Sequence, residues 1–240
     1  MTRNATLDVR IWRGGANGAY TRYDVPRQPS QTVLDVVTWV QRTIEPGLSY
    51  RFSCRVGMCG TCAMTVNGVP RWTCRTHVAN VAADGVLQIA PLENFPIVRD
   101  LAVDMQGFFD KWARAKGRFE AGSTRYDDFA RVTPQSSQRV AASAGIECIG
   151  CGICYAACDV VRWRADFLGP AALNRAWTLV NDVRDTGSHE RMAAVAGDAG
   201  AHACHTQGSC TERCPRALEP TAGIAALKRM TARLAMRGEL

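Results

Sequence analysis

The stretch C-R-V-G-M-C-G-T-C, residues 54–62, sets cysteines at 54, 59 and 62 with four and then two residues between them, and eleven more residues lead to Cys74. Three ligands from one tight loop and a fourth from a neighbouring segment is the plant-type [2Fe–2S] arrangement. Gly57 and Gly60 carry no Cβ, so the backbone between the cysteines can curl round a cluster and aim N–H groups at its sulfurs. Arg55 brings a compensating positive charge. A zinc site on Cys59 and Cys62 is the competing reading, but it needs a second C-x2-C pair near Cys74, which the sequence lacks, and it leaves the four-residue spacing unused.

The flanking residues give this loop its fold. Leu7, Val9 and Ile11 alternate with polar residues and predict a strand; Gly14, Gly15 and Gly18 mark a turn; A-Y-T-R-Y-D-V (19–25) predicts a second strand, ended by Pro26 and Pro29. Ser30 or Thr32 can cap a helix whose apolar residues Val33, Val36, Val37, Val40 and Ile44 recur at helical spacing until Pro46-Gly47. Residues 63–73 predict a hairpin with Asn67-Gly68 at its turn, and G-V-L-Q-I-A (85–90) another strand. Two strands, a helix, and further strands around a cysteine loop is the order of a β-grasp ferredoxin domain, here residues 1–104.

A second run, E-C-I-G-C-G-I-C-Y-A-A-C (147–158), spaces Cys148, Cys151, Cys154 and Cys158 as bacterial two-cluster ferredoxins do. In such a run the fourth cysteine serves the other cluster, because a tight loop wraps only three corners of a cubane. Cys148, Cys151 and Cys154 therefore take their fourth ligand from the third run, C-H-T-Q-G-S-C-T-E-R-C-P (204–215), where Cys214 precedes Pro215; together they predict a [4Fe–4S] cluster. In that third run Gln207 stands where a second cysteine belongs. Cys158, Cys204 and Cys210 remain, and a cubane with no thiolate at its fourth corner readily loses that iron, which predicts a [3Fe–4S] cluster and uses all eleven cysteines. The alternative is that Gln207 or a water ligates a fourth iron, although a neutral amide oxygen matches cluster iron poorly. Burial of cysteines as small hydrophobes would not generate these spacings.

Between the halves, residues 116–145 read as a polar and basic linker containing Thr133-Pro134 and Ser136-Ser137. Beyond it the pattern is helical: Gly169-Pro170 opens one helix, Ser188 can cap a second, and Pro220 opens a third running to about Ala235. The predicted fold class is α+β: a plant-type β-grasp ferredoxin domain, then an all-helical, bacterial dicluster ferredoxin-like domain over 105–240.

Composition agrees. An apolar fraction of 47% and a charged fraction of 21% suit a folded globular chain, and no apolar run is long enough to span a bilayer. The N-terminus M-T-R-N-A-T-L-D-V-R-I-W lacks the apolar block of a signal peptide, so a cytosolic location is expected. Eleven cysteines cannot all pair, and disulfides do not persist in the cytosol, which leaves metal binding. The net charge of +7 is scattered rather than clustered, so nucleic acid is not an expected partner. Thiolate-ligated clusters carry about −2 each when oxidised, and three would bring the chain near neutrality.

The three cysteine groups in this order, with F-P-I-V-R-D-L-A-V-D-M (95–105), F-L-G-P-A-A-L (167–173), V-R-D-T-G-S-H-E-R-M (183–192) and C-P-R-A-L-E-P-T (214–221), resemble the iron–sulfur subunit of succinate dehydrogenase and fumarate reductase, respiratory complex II, over nearly the whole chain. The resemblance implies electron transfer through [2Fe–2S], [4Fe–4S] and [3Fe–4S] clusters, in that order, between the FAD of a flavoprotein subunit and quinone in the membrane. It also implies one or two membrane-anchor subunits and a peripheral place on the cytoplasmic face of the bacterial inner membrane. It puts the quinone headgroup beside the [3Fe–4S] cluster, in the neighbourhood of Trp163, His205 and Lys228. His77, His189 and His202 are expected at the surface or behind cluster ligands. One departure is Asp159, where the family usually has proline after the cysteine; its carboxylate can take part in proton transfer or pair with Arg162 or Arg164. The rival function is a soluble multi-cluster carrier serving another flavin dehydrogenase or a thiol-linked reductase.

Overall fold

The computed structural model describes residues 6–240; residues 1–5, the start of the segment read as free of a signal peptide, lie outside the described residues. The chain falls into two units, Met1–Met105 with Ile149–Ala157, and Gln106–Cys148 with Cys158–Leu240.

The first unit is a mixed sheet with a helix across it. Strands β1 (Thr6–Arg13), β2 (Ala19–Pro26), β3 (Ala63–Val66), β4 (Val69–Trp72) and β5 (Val86–Ala90) lie in the order β2-β1-β5-β3-β4, with β1 and β5 parallel and the other neighbours antiparallel. Period-2 alternation buries one face: Leu7, Val9 and Ile11 are fully buried, and Val9 pairs with Tyr23 on one side and Leu87 on the other. Against that face α1 (Val33–Thr43) lays Val33, Val36, Val37 and Val40, all fully buried. Thr32 is its cap. The Thr32 hydroxyl accepts from Asp35 N at 3.2 Å and Asp35 Oδ2 accepts from Thr32 N at 3.0 Å, a complete capping box, while Ser30 sits outside it at φ +56°. Ile44 lies just past the helix and is 47% exposed.

Asn67 (φ +47°) and Gly68 (φ +74°) make the tight turn of the β3–β4 hairpin. Asn67 also pins β5, accepting from Gln88 N at 2.7 Å, and ties in the segment before it by donating to Val81 O at 2.7 Å. A small hairpin, β6 (Ile97–Arg99) and β7 (Ala102–Val103), turns at Asp100, whose buried carboxylate accepts from Gly14 N (2.7 Å), Ser49 N (2.8 Å) and Arg13 Nε (3.1 Å). Burial raises this carboxyl's pKa, but the amides and Arg13 outweigh it and the net direction is downward. The segment Ile149–Ala157 joins this unit through Asn94, which donates to the carbonyls of Tyr155 and Ala156 at 3.1 Å each, and through Phe95, whose ring centre lies 4.9 Å from that of Tyr155.

The second unit is helical: α2 (Gln106–Arg114), α3 (Ser137–Ile146), α4 (Pro170–Val180), α5 (Ser188–Ala196) and α6 (Pro220–Met236), with short helical turns at Asp159–Trp163 and Ser209–Glu212. The central helix is α4, which packs against the other four and buries Leu173, Ala176 and Leu179. Small residues allow close approach. A Cβ at Gly145 would stand 2.5 Å from Thr178 Oγ1, and Asn174 Nδ2 donates to Gly145 O at 3.1 Å.

Two expectations are corrected here. The stretch read as a linker is helical at its end, because Ser136 accepts from Arg139 N at 3.2 Å and caps α3, whose small residues had hidden its periodicity. Its start is held too: Arg191, fully buried, donates to the carbonyls of Lys116 and Arg118 and grips Asp185. Ser188 is the first residue of α5 and not its cap; Asp185 Oδ1 instead accepts from Gly187 N, the residue at the cap position, at 3.0 Å.

Candidate metal centres

The first cysteine loop is built from left-handed backbone. Arg55, Gly57 and Gly60 have φ of +59°, +74° and +73°, and the curl they produce turns the N–H groups of Met58 and Cys59 onto Cys54 Sγ, each at 3.3 Å. Gly57 must be glycine for a second reason, since a Cβ there would stand 2.9 Å from the Trp72 ring. Thr73 ties the fourth-ligand segment to the loop, its hydroxyl donating to Cys62 O at 2.7 Å. Cys54 interacts with Cys59 and with Cys74, and Cys74 with Cys62, so the four thiols lie close enough to influence one another.

Their electrostatics differ. Amide donation from Val56, Met58 and Cys59 lowers the Cys54 thiol to about 6, whereas burial, and then its neighbour Cys62, pushes Cys74 up to about 12. The Arg55 guanidinium lies over the Phe52 ring, 4.8 Å from the centroid. Among the described residues no group of three or more His, Cys, Asp and Glu side chains is placed to hold a lone metal ion. Four neighbouring thiols, with backbone amides aimed at Cys54 and Cys74, match the donor set of a two-iron cluster.

Of the second run, Cys151 and Cys154 belong to the first unit, in a loop bent at Gly150 (φ +63°) and Gly152 (φ +78°). Cys148 and Cys214 belong to the second unit. Cys148 follows α3, its N–H on Gly145 O at 3.3 Å, and Cys214 follows the turn Ser209–Glu212, its N–H on Thr211 O at 3.2 Å.

Cys158, Cys204 and Cys210 come together around one small, open cavity, with His205, Gln207 and Thr221 also in its wall. The thiols are again met by donors. Cys158 stands at the cap position of the turn Asp159–Trp163, near enough to the N–H groups of Val160 and Val161 for them to favour its thiolate, Thr206 N donates to Cys204 Sγ at 3.4 Å, and Thr221 Oγ1 lies 3.2 Å from Cys210 Sγ. Burial pushes the Cys158 and Cys210 thiols up, so anionic sulfur here needs a positive centre to neutralise it.

Of the residues named for the quinone neighbourhood, His205 is exposed in the cavity wall and Lys228 donates a short hydrogen bond from Nζ to the carbonyl of Cys204. Trp163 ends the turn that begins after Cys158 and is 66% exposed. Asp159 is the first residue of that turn, and Arg164 is paired with Asp166 at 3.1 Å. His202 meets Thr231 Oγ1 at 2.9 Å, His189 meets Glu239 O at 3.2 Å, and His77 bridges to Thr32. Sequence reasoning missed the Thr211 and Thr221 hydroxyls beside Cys210; the only signal was a threonine directly after the helix-opening Pro220.

Residues 8–110 match the family model described as a 2Fe-2S iron-sulfur cluster binding domain, and residues 145–218 that of a 4Fe-4S dicluster domain. Similar proteins include the fumarate reductase iron-sulfur subunit of Escherichia coli O157:H7, 37% identical over 84% of this chain and 82% of its own length. The fumarate reductase iron-sulfur subunit of Mycobacterium tuberculosis is 34% identical over 99% of this chain and 96% of its own. The succinate dehydrogenase iron-sulfur subunit of Paracoccus denitrificans is 32% identical over 82% and 75%. A chain of the Mycobacterium smegmatis Sdh1 complex in the apo form superposes with a TM-score of 0.85, at 28% identity, over 96% of this chain and 97% of that one.

Proposed function

This chain belongs to the family of succinate dehydrogenase and fumarate reductase iron–sulfur subunits, and on that premise we propose that it is the electron relay of a succinate:quinone oxidoreductase. When bound, its clusters accept and pass single electrons between the FAD of a flavoprotein subunit and a membrane quinone. The chain's own work is to hold, space and electrostatically tune them.

In this reading residues 1–104 form the [2Fe–2S] domain and 105–240 the dicluster domain. Cys54, Cys59, Cys62 and Cys74 hold [2Fe–2S]; Cys148, Cys151, Cys154 and Cys214, by their spacing, hold [4Fe–4S]; Cys158, Cys204 and Cys210 hold [3Fe–4S]. His205, in the wall of the third cavity, is suited to hydrogen-bond a quinone oxygen and exchange a proton with it. Lys228 fixes the backbone of Cys204, and Trp163 offers an exposed apolar face nearby in sequence to Cys158. Among the described residues no helix is long and apolar enough to cross a membrane. The membrane is reached through one or two anchor subunits, on the cytoplasmic face of a bacterial inner membrane.

The observation that carries the reading is the third cavity, where three donor-fed thiols share a wall with Gln207. Purified complex is expected to hold about nine irons in this subunit and to show the paramagnetic signal of an oxidised [3Fe–4S] cluster. Fewer than about six irons, or stoichiometric zinc, would overturn it.

A further inference from the structure

We propose that Thr221 helps set the reduction potential of the three-iron centre by donating its hydroxyl proton to the Cys210 thiolate, and that Thr211 is the residue that points it there. The inference rests on the assignment of Cys158, Cys204 and Cys210 to a [3Fe–4S] cluster.

Three bonds fix the direction of the relay. Thr221 is the second residue of α6, after Pro220, so its backbone N–H is one of the helix-start donors with no partner in its own helix. That N–H donates to Thr211 Oγ1 at 3.2 Å. The Thr211 hydroxyl, having accepted, donates its own proton to Thr221 Oγ1 at 2.9 Å. Thr221 Oγ1 has now accepted in turn and keeps one proton to give, and Cys210 Sγ lies 3.2 Å away. A cysteine bound to iron is a thiolate with no proton to offer, so at this contact the threonine must be the donor.

The site makes such a bond count. Cys210 is only 7% exposed, so water does little to screen a hydrogen bond made to its sulfur. A hydrogen bond to ligand sulfur favours the more negative, reduced state of the centre and so raises its potential. Thr221 is a positioning and tuning residue, and both hydroxyls also brace the start of α6.

The test is an EPR-monitored redox titration of the [3Fe–4S] signal in the intact complex, comparing the parent with Thr221→Val, Thr221→Ser and Thr211→Val. Thr221→Val keeps the side chain's shape and removes its proton; it is expected to lower the equilibrium constant for one-electron reduction about tenfold, ~59 mV. Thr221→Ser restores the donor and is expected to stay within about twofold of the parent, ~18 mV on the same one-electron scale. Thr211→Val leaves the Thr221 hydroxyl but not its orientation and is expected to shift the midpoint the same way by less; it decides the matter where Thr221→Val fails to load the cluster. An intact three-iron signal with an unmoved midpoint in both valine variants overturns this inference alone. Absence of the signal from the parent complex overturns the cluster assignment, and this inference with it.

Discussion

The backbone of Gly60 lies directly against Cys151: a Cβ at Gly60 would stand 2.6 Å from the Cys151 Cβ and 2.9 Å from its Cα. The loop assigned to one cluster thus touches a residue assigned to the next, inside a single unit. Two demands meet at this glycine, the left-handed φ of +73° and the absence of any side chain. Gly60→Ala adds a backbone cost of about 1–2 kcal/mol to a clash that neither neighbour can relieve by rotating a side chain. The expected result is loss of [2Fe–2S] and [4Fe–4S] signals together while the three-iron signal of the second unit persists. Low-temperature EPR of dithionite-reduced and air-oxidised samples separates the three, and normal [2Fe–2S] and [4Fe–4S] signals would disprove the contact.

In the second unit Arg191 and Asp185 form a buried ion pair, Nη1 to Oδ1 at 2.6 Å and Nη2 to Oδ2 at 3.2 Å, with both side chains fully buried. Asp185 also accepts from Glu120 N and Gly187 N, and Arg191 donates to two carbonyls, so each buried charge is surrounded by partners. Removing one member strands the other. Arg191→Met is expected to destabilise the unit by about 3–5 kcal/mol, visible as a lower denaturant midpoint and loss of segment 116–122 from hydrogen-exchange protection. Combining it with Asp185→Leu is expected to recover part of the loss, and a double variant no better than the single would argue against the pair as its source.

The first cluster site titrates unevenly. Cys54 is held down to about 6 by backbone amides, so the support its thiolate gives the folded loop is complete above the unfolded thiol's value and is lost as pH falls through about 6. Cys74 is pushed up to about 12 by burial, and its preference for the neutral thiol persists until pH rises toward that value. After chelation of the iron, iodoacetamide at pH 7 is therefore expected to label Cys54 first and Cys74 last, as read by peptide mass spectrometry. Equal rates would contradict this picture of the loop.

Much of this was legible because the signals were local. The alternation of Leu7, Val9 and Ile11 fixed the buried face of β1, Asn67-Gly68 fixed a hairpin turn, and Thr32 was one of two caps named for α1. What stayed hidden depends on tertiary partners. Nothing near Cys151 in sequence reveals that Asn94 and Phe95 draw residues 149–157 into the first unit. The start of the supposed linker is held by Arg191, about seventy residues away in the chain.

The remaining test concerns Gln207, which shares the cavity wall with Cys158, Cys204 and Cys210 between two left-handed residues, Thr206 (φ +60°) and Gly208 (φ +85°). A thiolate there would restore the spacing of a full cubane loop. Gln207→Cys is expected to take up a fourth iron, raising the subunit from about nine irons to about ten and replacing the three-iron signal of the oxidised complex with a four-iron signal on reduction. The added anionic ligand is expected to lower the potential of the centre, since net charge sets cluster potential. Gln207→Ala separates the two accounts of the native residue. If the amide were a ligand to a fourth iron, alanine would cost that iron; if the corner holds no protein ligand, iron content and the three-iron signal stay as they are. A three-iron signal unchanged in Gln207→Cys would mean that the chain runs through this loop in a different register, and the sorting of Cys158, Cys204 and Cys210 into one site would have to be abandoned.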